Sequence, residues 1–221
     1  MVHARTIDGR ALTFGHSGWL WRNAFLLYDR ETNSLWHNAT GVAMSGPMRG
    51  KRLPRFDATA IMTWAAWRAE HPDTLVLAKP DDPAAPVESD SYANRNARFP
   101  FGLALDVPGA PRFYPFDAMK PLDAVEDDAA GTPVVVVRDA AGEAARAFDR
   151  RVAGKTLSFD VVADTRPRLR ERDGSRAWYL RSGAPVPGSG AEMSLCPLPA
   201  THFERGAWQA QHPGGSVWRR P

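Results

Sequence analysis

The one cysteine of the chain lies in a segment where thiol chemistry is the first possibility to test. Cys196 is followed by Pro197, Leu198 and Pro199. Thiol exchange by a Cys-x-x-Cys pair needs a second sulfur three residues after the first, because one thiolate attacks and the other resolves the mixed disulfide. Proline stands at that place here. We therefore interpret Cys196 as a partly buried structural cysteine, and a single cysteine allows no internal disulfide.

The histidines form a second set of candidates, for a metal site or for catalysis. His16, His37 and His71 could meet around a metal ion, but no two of them have a metal-ligand spacing. We therefore predict no metal site, and nothing in the sequence indicates a cofactor. His71 precedes a proline, as does His212 later in the chain, which suggests that each closes a helix. His37 and His71 are kept as candidate ligand-binding residues.

The eight tryptophans are a third set, since indole rings stack on sugars, bases and other aromatic ligands. Four of them recur in matching surroundings, Trp36 with Trp178 and Trp67 with Trp208. These four are predicted to build two equivalent cores. Trp19 and Trp21 have no counterpart, so they are the better candidates for a ligand-binding surface.

Four arginines alternate with other residues in one segment, Arg166, Arg168, Arg170 and Arg172. In a strand, a period of two places all four on one face. Such a face could bind phosphate, but a solvated strand face is the more common reason for this pattern. We predict the solvated face.

The composition excludes some classes of function. The chain has 221 residues, with 43% apolar and 24% charged residues, which is ordinary globular composition. Lysine and arginine total 28 against 25 acidic residues, with the two signs interspersed, so binding to nucleic acid is not expected. No charged-then-apolar leader and no run of 18 apolar residues is visible, so we expect no membrane-spanning segment, and the compartment stays unknown.

The chain is a tandem duplication. Residues Gly9 to Phe14 (GRALTF) return as Gly154 to Phe159 (GKTLSF), and residues 67–72 (WRAEHP) return as 208–213 (WQAQHP). At the same offset Met1 falls opposite Arg146, so the first copy has no counterpart of residues 99–145. Residues 79–98 are rich in proline, aspartate, asparagine and serine. We therefore predict a first repeat over 1–78 that lacks its N-terminal half, a linker over 79–98 and a second repeat over 99–221.

The positions of turns and apolar runs predict mostly strands. In the first repeat we expect short strands at residues 11–15, 25–28, 35–36, 41–47, 52–56 and 75–77, and in the second at residues 101–107, 112–114 and 133–137. One helix should begin after an N-cap at Asp57 and place Ile61, Trp64, Ala65 and Arg68 on one side. It should end near His71 because Pro72 disfavours helical geometry in the residue before it. The predicted class is mainly β (α+β): two similar repeats of antiparallel strands, each forming a small barrel-like or curled sheet with one packed helix.

Several motifs, in order and in register, resemble an uncharacterised bacterial and archaeal family, domain of unknown function 3179, whose members are often labelled "(seleno)protein". The matching segments are residues 10–15 (RALTFG), 28–36 (YDRETNSLW), 40–47 (TGVAMSGP) and 67–74 (WRAEHPDT). The resemblance covers most of residues 5–78 and, more loosely, 99–219.

The resemblance implies redox chemistry that this chain does not itself contain. Complete members of the family carry a Cys-Pro-Leu-Cys motif, or selenocysteine at its fourth position, just before the strand that begins here at Met1. The matching place in the second copy, Val137 to Ala144, has no cysteine. Because selenocysteine is encoded by a codon normally read as stop, we hypothesise that the start of the chain was assigned downstream of such a codon.

Two classes of function follow. In the first, the chain is a fragment of a thiol or selenol redox protein with an unknown redox partner, inactive as given because its reactive pair lies upstream of Met1. In the second, the two repeats frame a cleft that binds a small ligand or a partner protein without catalysis. In that case Trp19, Trp21 and His37 are expected near the mouth of the cleft, with His71 as a further ligand-binding candidate.

Overall fold

The computed structural model describes residues 2–22, 24–56, 61–76, 100–107, 109–141 and 143–221. The predicted linker, 79–98, and the predicted N-cap, Asp57, lie outside these ranges. In the N-terminal part the strands are β1 (Thr6–Ile7), β2 (Arg10–Ala11), β3 (Phe14–Trp21), β4 (Ala24–Asp29), β5 (Leu35–His37) and β6 (Ala43–Ser45), followed by helix α1 (Trp64–Glu70).

The C-terminal part has twice as many strands. They are β7 (Phe101–Leu105), β8 (Arg112–Pro115), β9 (Leu122–Ala129), β10 (Thr132–Asp139), β11 (Ala144–Asp149), β12 (Arg151–Val152), β13 (Lys155–Thr156), β14 (Phe159–Val162), β15 (Arg168–Glu171), β16 (Ala177–Tyr179), β17 (Ala200–Glu204) and β18 (Ser216–Val217). A 3₁₀ turn at Phe116–Ala118 follows β8, and helix α2 (Arg205–Gln211) lies between β17 and β18.

The strands form several small antiparallel sheets, as the sequence predicts, but the described residues form no closed barrel. The sheet orders are β3-β4-β5-β6, β11-β10-β9, β14-β15-β16 and β17-β7-β8-β18, with two-stranded ribbons β1-β2 and β12-β13. Among the described strands only β18 pairs in parallel, with β8. Each sheet is too small to close on itself, so its apolar face is buried against another sheet or a helix.

The duplication is visible in the packing of the two cores. Phe14 meets Trp36 edge-on with ring centroids 5.8 Å apart, and Phe159 meets Trp178 edge-on at 5.7 Å. Leu27 lies directly opposite Trp36 on the neighbouring strand, and Leu169 lies opposite Trp178 in the same way. The two tryptophans therefore lie on the same face of equivalent sheets. The prediction that Trp36 and Trp178 build equivalent cores is therefore confirmed.

The two helices also match each other. Both have seven residues, and each ends at a histidine whose backbone N–H donates to the carbonyl of a tryptophan four residues earlier, His71 to Trp67 and His212 to Trp208. The rings of each pair also contact, at centroid distances of 4.1 and 5.4 Å. The histidines thus close the helices through the backbone, while their rings cover the tryptophans.

The start of α1 differs from the sequence prediction. The helix begins at Trp64, and the hydroxyl of Thr63 accepts a hydrogen bond from the N–H of Ala66. Ile61 lies before the helix and is exposed. Its counterpart in the second copy is His202, in β17, which pairs with β7. The first copy contains no equivalent of β7, so the residues before α1 have no strand with which to pair.

The predicted strand at residues 75–77 is wrong for the residues described, for the same reason. Leu75 is 95% exposed and Val76 is also exposed, and neither is in a strand. Their counterparts, Ser216 and Val217, form β18 by pairing with β8. No described residue of the first copy corresponds to β8. An apolar sequence pattern alone therefore does not make a strand here, because the partner is missing.

The interpretation of Cys196 as partly buried is also wrong, since the structure exposes it. The neighbouring Leu195 is the residue of this segment that packs into the second core. The backbone carbonyl of Cys196 accepts a hydrogen bond from the N–H of Asp149. The cysteine therefore holds its segment through its backbone and not through its side chain.

The alternating arginines form a charged, solvated face, as predicted. Arg168 and Arg170 lie in β15 on the side opposite the buried Leu169. The ion pairs of this face join Arg168 to Asp164, Arg170 to Asp160, and Arg172 to Glu126 and Asp160. These acidic neighbours offset the positive charge of Arg168, Arg170 and Arg172.

Candidate functional site

A cleft between the two copies is the best candidate for a functional site. Its walls come from the end of β5 on one side and from β17 and α2 on the other. Two adjoining cavities share Ala39, Thr201 and Phe203, and the larger one has a volume of about 320 Å³. We call this region the inter-repeat cleft and define it by Asn38, Ala39, Thr40, Thr201, His202, Phe203 and Gln211.

His202 lies in the wall of the cleft, and both of its ring nitrogens are buried. Its ring meets Phe116 edge-on at 5.1 Å. Burial lowers the pKa of His202 to about 4, and a hydrogen bond with the backbone of Ala145 acts in the opposite direction. His202 is therefore neutral at physiological pH, with one donor and one acceptor available.

His37 lies at the edge of the cleft and is also neutral. Its Nδ1 accepts a hydrogen bond from the N–H of Thr40 and contacts the Thr40 hydroxyl at 2.9 Å, so the proton belongs on Nε2. Nε2 is buried without a hydrogen-bond partner in the described ranges. Burial lowers the pKa of His37, opposed by the backbone of Trp21 and reinforced by His212.

Two amide side chains complete the polar part of the wall. The Oδ1 atom of Asn38 and the Oε1 atom of Gln211 are buried, and no residue in the described ranges donates to them. The backbone carbonyl of Asn38 contacts Nε2 of His3 at 3.0 Å, and Gln211 donates from Nε2 to the carbonyl of Arg22 at 3.5 Å. Buried polar atoms are nearly always hydrogen-bonded to protein groups or to water, so these atoms form the polar part of the cleft wall.

The equivalent place on the second copy is closed by ions. Arg181 is buried and binds Asp139 with an N–O distance of 2.6 Å. A second nitrogen of Arg181 lies 3.6 Å from the carboxylate of Glu70, which comes from α1 of the first copy. The partly buried Arg146 is close enough to Glu70 for the carboxylate to act on its pKa, which burial lowers overall. The second copy therefore has buried ion pairs at this place.

The local backbone shows that these two places correspond. The N–H of Gly41 donates to the carbonyl of His37 at 2.8 Å, and the N–H of Gly183 donates to the carbonyl of Tyr179 at the same distance. Both glycines have a positive φ, 69° and 71°, which glycine adopts readily. Ala39 therefore stands where the second copy has Arg181.

Each helix contacts the other copy at one of these two places. Glu70 of α1 reaches Arg181 of the second copy, while Gln211 of α2 reaches Arg22 of the first. Gln211 is the counterpart of Glu70. At the cleft, alanine stands in place of Arg181 and glutamine in place of Glu70, so the charges of that ion pair are absent there.

The residues singled out from the sequence are only partly brought together. His37 is at the cleft, and Trp21 lies next to it because its backbone acts on the His37 ring. Trp19 is exposed farther out on β3. His71 lies on α1 against Trp67, away from the residues that define the cleft.

Sequence reasoning missed His202, Gln211 and Arg181. The signal for Gln211 and Arg181 was present in the alignment of the two copies, where neutral residues stand opposite charged ones. His202 gave no such signal, because its counterpart Ile61 is simply apolar. No three His, Cys, Asp or Glu side chains of the described residues are placed to hold a metal ion. No helix in the described ranges is long and apolar enough to cross a membrane.

Comparison with known proteins gives one match. A family model described as "Protein of unknown function (DUF3179)" matches residues 1–103 and, a second time, residues 101–221. The two matches together cover the whole chain and agree with the duplication seen in the sequence and in the two cores. No curated protein and no solved structure matches the chain.

Proposed function

Because the chain belongs to the family described as protein of unknown function DUF3179, we propose that its first repeat is the working half and its second repeat a structural partner. We place the first repeat at residues 1–78 and the second at 99–221, joined by a linker. The observation that carries the proposal is the contrast between the open inter-repeat cleft and the closed ion cluster at the equivalent place.

The proposed activity is thiol or selenol exchange in a form of the protein that includes an upstream Cys-x-x-Cys or Cys-x-x-Sec motif. The second copy has Val137 to Ala144 at the matching position, and within it Asp139 binds Arg181. An upstream motif following the same path would reach Ala39 and Gln211, in the cleft. The contact between His3 and the Asn38 carbonyl supports this, because it holds the first described residues against the cleft wall.

The chemistry would be reduction of a disulfide. One thiolate or selenolate of the pair attacks a substrate sulfur, which forms a mixed bond and releases the first substrate thiol after protonation. The second member of the pair then attacks the mixed bond and releases the other thiol. Two electrons pass to the substrate, and the pair is left oxidised as an internal disulfide or selenenyl sulfide.

The test uses the gene with its upstream region. Translation of that region should give a cysteine codon three positions before a second cysteine codon or an in-frame stop. The extended protein should reduce a disulfide substrate such as insulin, and a serine at the fourth motif position should abolish turnover. The absence of the two codons, or activity that is unaffected by the serine, would refute the redox function.

A second test asks whether the cleft is the site. In the extended protein, Ala39→Arg should place a long cation in the cleft and reduce turnover strongly. Ala163→Arg adds the same side chain to the exposed hairpin of the second repeat and serves as the matched control. Equal activity of the two variants would show that the cleft is not the site of the reaction.

The unbonded polar atoms favour one alternative, a non-catalytic binding module. His202, Gln211 and Asn38 could donate to and accept from a small uncharged ligand, with Trp21 and His37 close to the cleft. A binding module predicts that the chain as given is already competent. A ligand that raises the melting temperature of the chain as given, and does so less for His202→Leu, would favour this alternative.

A further inference from the structure

The tip of the β3–β4 hairpin exposes three consecutive large apolar side chains. Trp19 is 66% exposed, Leu20 70% and Trp21 48%. Arg22 follows at the turn, with φ +47°, and its guanidinium carbon lies 5.7 Å from the centre of the Trp21 ring. We call residues Trp19 to Arg22 the hairpin tip. Contiguous exposed apolar surface of this kind marks an interaction site.

The tip is not explained by the half that the first repeat lacks. In the second repeat that half is present, and the equivalent hairpin joins β14 to β15 through an exposed polar turn that includes Asp164 and Arg166. Strand β14 has four residues, whereas β3 has eight, so the first hairpin extends beyond its counterpart. Missing partner strands account for the exposure of Leu75 and Val76, but they do not account for the tip.

The apolar side chains lie on both faces of the hairpin. Leu20 pairs with Phe25 across the strands, and Trp21 pairs with Ala24. Neighbouring residues in a strand point to opposite faces, so Leu20 and Trp21 face different sides. A protein partner covers one face of a hairpin, whereas a lipid bilayer surrounds an inserted tip on all sides.

The geometry of β3 argues against a second copy of the chain as the partner. β3 is the edge strand of its sheet, which would allow pairing with the same edge of another molecule. The register shifts between His16 and Leu20, and Gly18 has φ +78°. Such an interruption twists an edge strand and disfavours continuous pairing.

The charge of this region complements an anionic surface. Between Phe14 and Tyr28 the sequence contains no acidic residue, and Arg22 is its one arginine or lysine. Residues 1–78 carry nine basic and six acidic side chains, whereas residues 79–221 carry 19 of each. The whole net positive charge of the protein therefore belongs to the part that bears the tip.

We propose that the hairpin tip binds the interface of a lipid bilayer that contains anionic lipids. Trp19, Leu20 and Trp21 enter the boundary between headgroups and acyl chains, where indole rings are favoured, and Arg22 contacts lipid phosphate through its long side chain. The mode is peripheral, because no membrane-spanning helix is involved. It does not depend on the redox proposal, although the backbone carbonyl of Arg22 accepts a hydrogen bond from Gln211 in the cleft wall.

The test is co-sedimentation of the chain with vesicles of phosphatidylcholine, with and without phosphatidylserine. Binding should require phosphatidylserine and weaken as salt is raised. The double variant W19S/W21S should lower the partition coefficient at least about tenfold, because two partly inserted indole rings are lost. Arg22→Glu should lower it as well.

Trp64→Ser is the matched control, because Trp64 is exposed to the same extent as Trp21, 48%, but lies on α1. This variant should bind vesicles as the wild type does. Circular dichroism of each variant checks that the fold is retained. Failure of the wild type to bind, or equal losses for W19S/W21S and W64S, would overturn the proposal. So would concentration-dependent dimerisation that W19S/W21S abolishes, which would assign the tip to a second copy.

Discussion

The two repeats of this protein have the same local structure but differ in how well they bury their large apolar side chains. The edge-on Phe–Trp pairs, the glycine turns and the seven-residue helices correspond closely. Yet of the eleven exposed large apolar residues in the described part of the chain, ten precede residue 78, and the other is Met193. Local sequence therefore reproduces local structure, while burial depends on strands that only one repeat has.

The outer strands of the second repeat show what the first cannot form. β17 and β18 flank β7 and β8 in one sheet. This sheet and α2 together bury Phe113 and Trp208. The first repeat contains the sequences that correspond to β17 and β18 but neither central strand. Strands bind through hydrogen bonds to neighbours, so peripheral segments stay irregular when the centre is absent.

The two repeats also differ in their buried charged groups, since the second repeat has the ion pairs of Arg181 and the cleft has no counterpart of Arg181. The largest predicted effect concerns these ion pairs. Arg181→Met removes the buried cation that binds Asp139 and lies beside Glu70, so the free energy of unfolding should fall by about 3–5 kcal/mol. Urea denaturation measures this. Ala39→Met, at the counterpart position, extends into the open cleft and should change stability by less than about 1.5 kcal/mol. Equal losses for the two variants would contradict the distinction between a closed and an open site.

The next prediction concerns His202, which stands where the first repeat has Ile61. Its folded pKa, about 4, lies below the ordinary value of 6.5, so the unfolded chain binds the proton more tightly. Stability should therefore fall as the pH is lowered from 6.5 towards 4, by an amount on the order of 3 kcal/mol.

Urea denaturation over this pH range, compared between wild type and His202→Gln, isolates the contribution of His202. His3 and His37 also have lowered pKa values and add to the wild-type slope, so the variant should retain part of it. An unchanged slope in the variant would show that His202 is not buried as a neutral group.

A smaller effect is expected at Asp29, which holds the core tryptophan of the first repeat. Its buried carboxylate accepts hydrogen bonds from the Trp36 indole at 2.7 Å and from Thr32 and Ser34. Burial raises the pKa of Asp29, but these hydrogen bonds outweigh it and lower the pKa overall. Asp29→Asn should lower the free energy of unfolding by about 2 kcal/mol, because the NH₂ group of the amide would point towards groups that already donate hydrogen bonds.

The pH dependence of this variant follows from the lowered pKa. The stabilisation is present above the ordinary pKa of 3.8 and disappears as the pH falls through the folded value, so wild type and Asp29→Asn should converge in acid. Glu171→Gln at the counterpart position is the control. Glu171 binds Arg176 near the surface, and its loss should cost less than about 1 kcal/mol. A larger loss there than at Asp29 would reverse the expected order.

The smallest effect belongs to the arginine face of the second repeat. Arg170 is exposed and lies 3.7 Å from Asp160. Arg170→Ala should change the free energy of unfolding by less than about 0.5 kcal/mol, since exposed ion pairs are screened by water and salt. A loss above 1 kcal/mol in thermal unfolding would show that this face has a structural role.

Much of the fold could be predicted from the sequence because its signals are local. Alternating apolar residues and glycine turns identified the strands around Phe14, Leu35, Phe101 and Arg112. The paired tryptophans identified the two cores. The start of α1 could not be predicted, since Thr63 competes with Asp57 as a cap by local sequence alone. The strand β9 was also missed, because it carries four acidic residues and is stabilised mainly by pairing with β10.

The amino-acid sequence by itself determined the duplication and the family resemblance, because both follow from the order of residues. Only the tertiary structure decided which polar groups meet. Arg181 joins Asp139 and Glu70 across 42 and 111 positions of sequence, while His202 and Gln211 face Ala39 across the cleft. Such contacts depend on how sheets and helices of different repeats pack, and no local pattern encodes that packing.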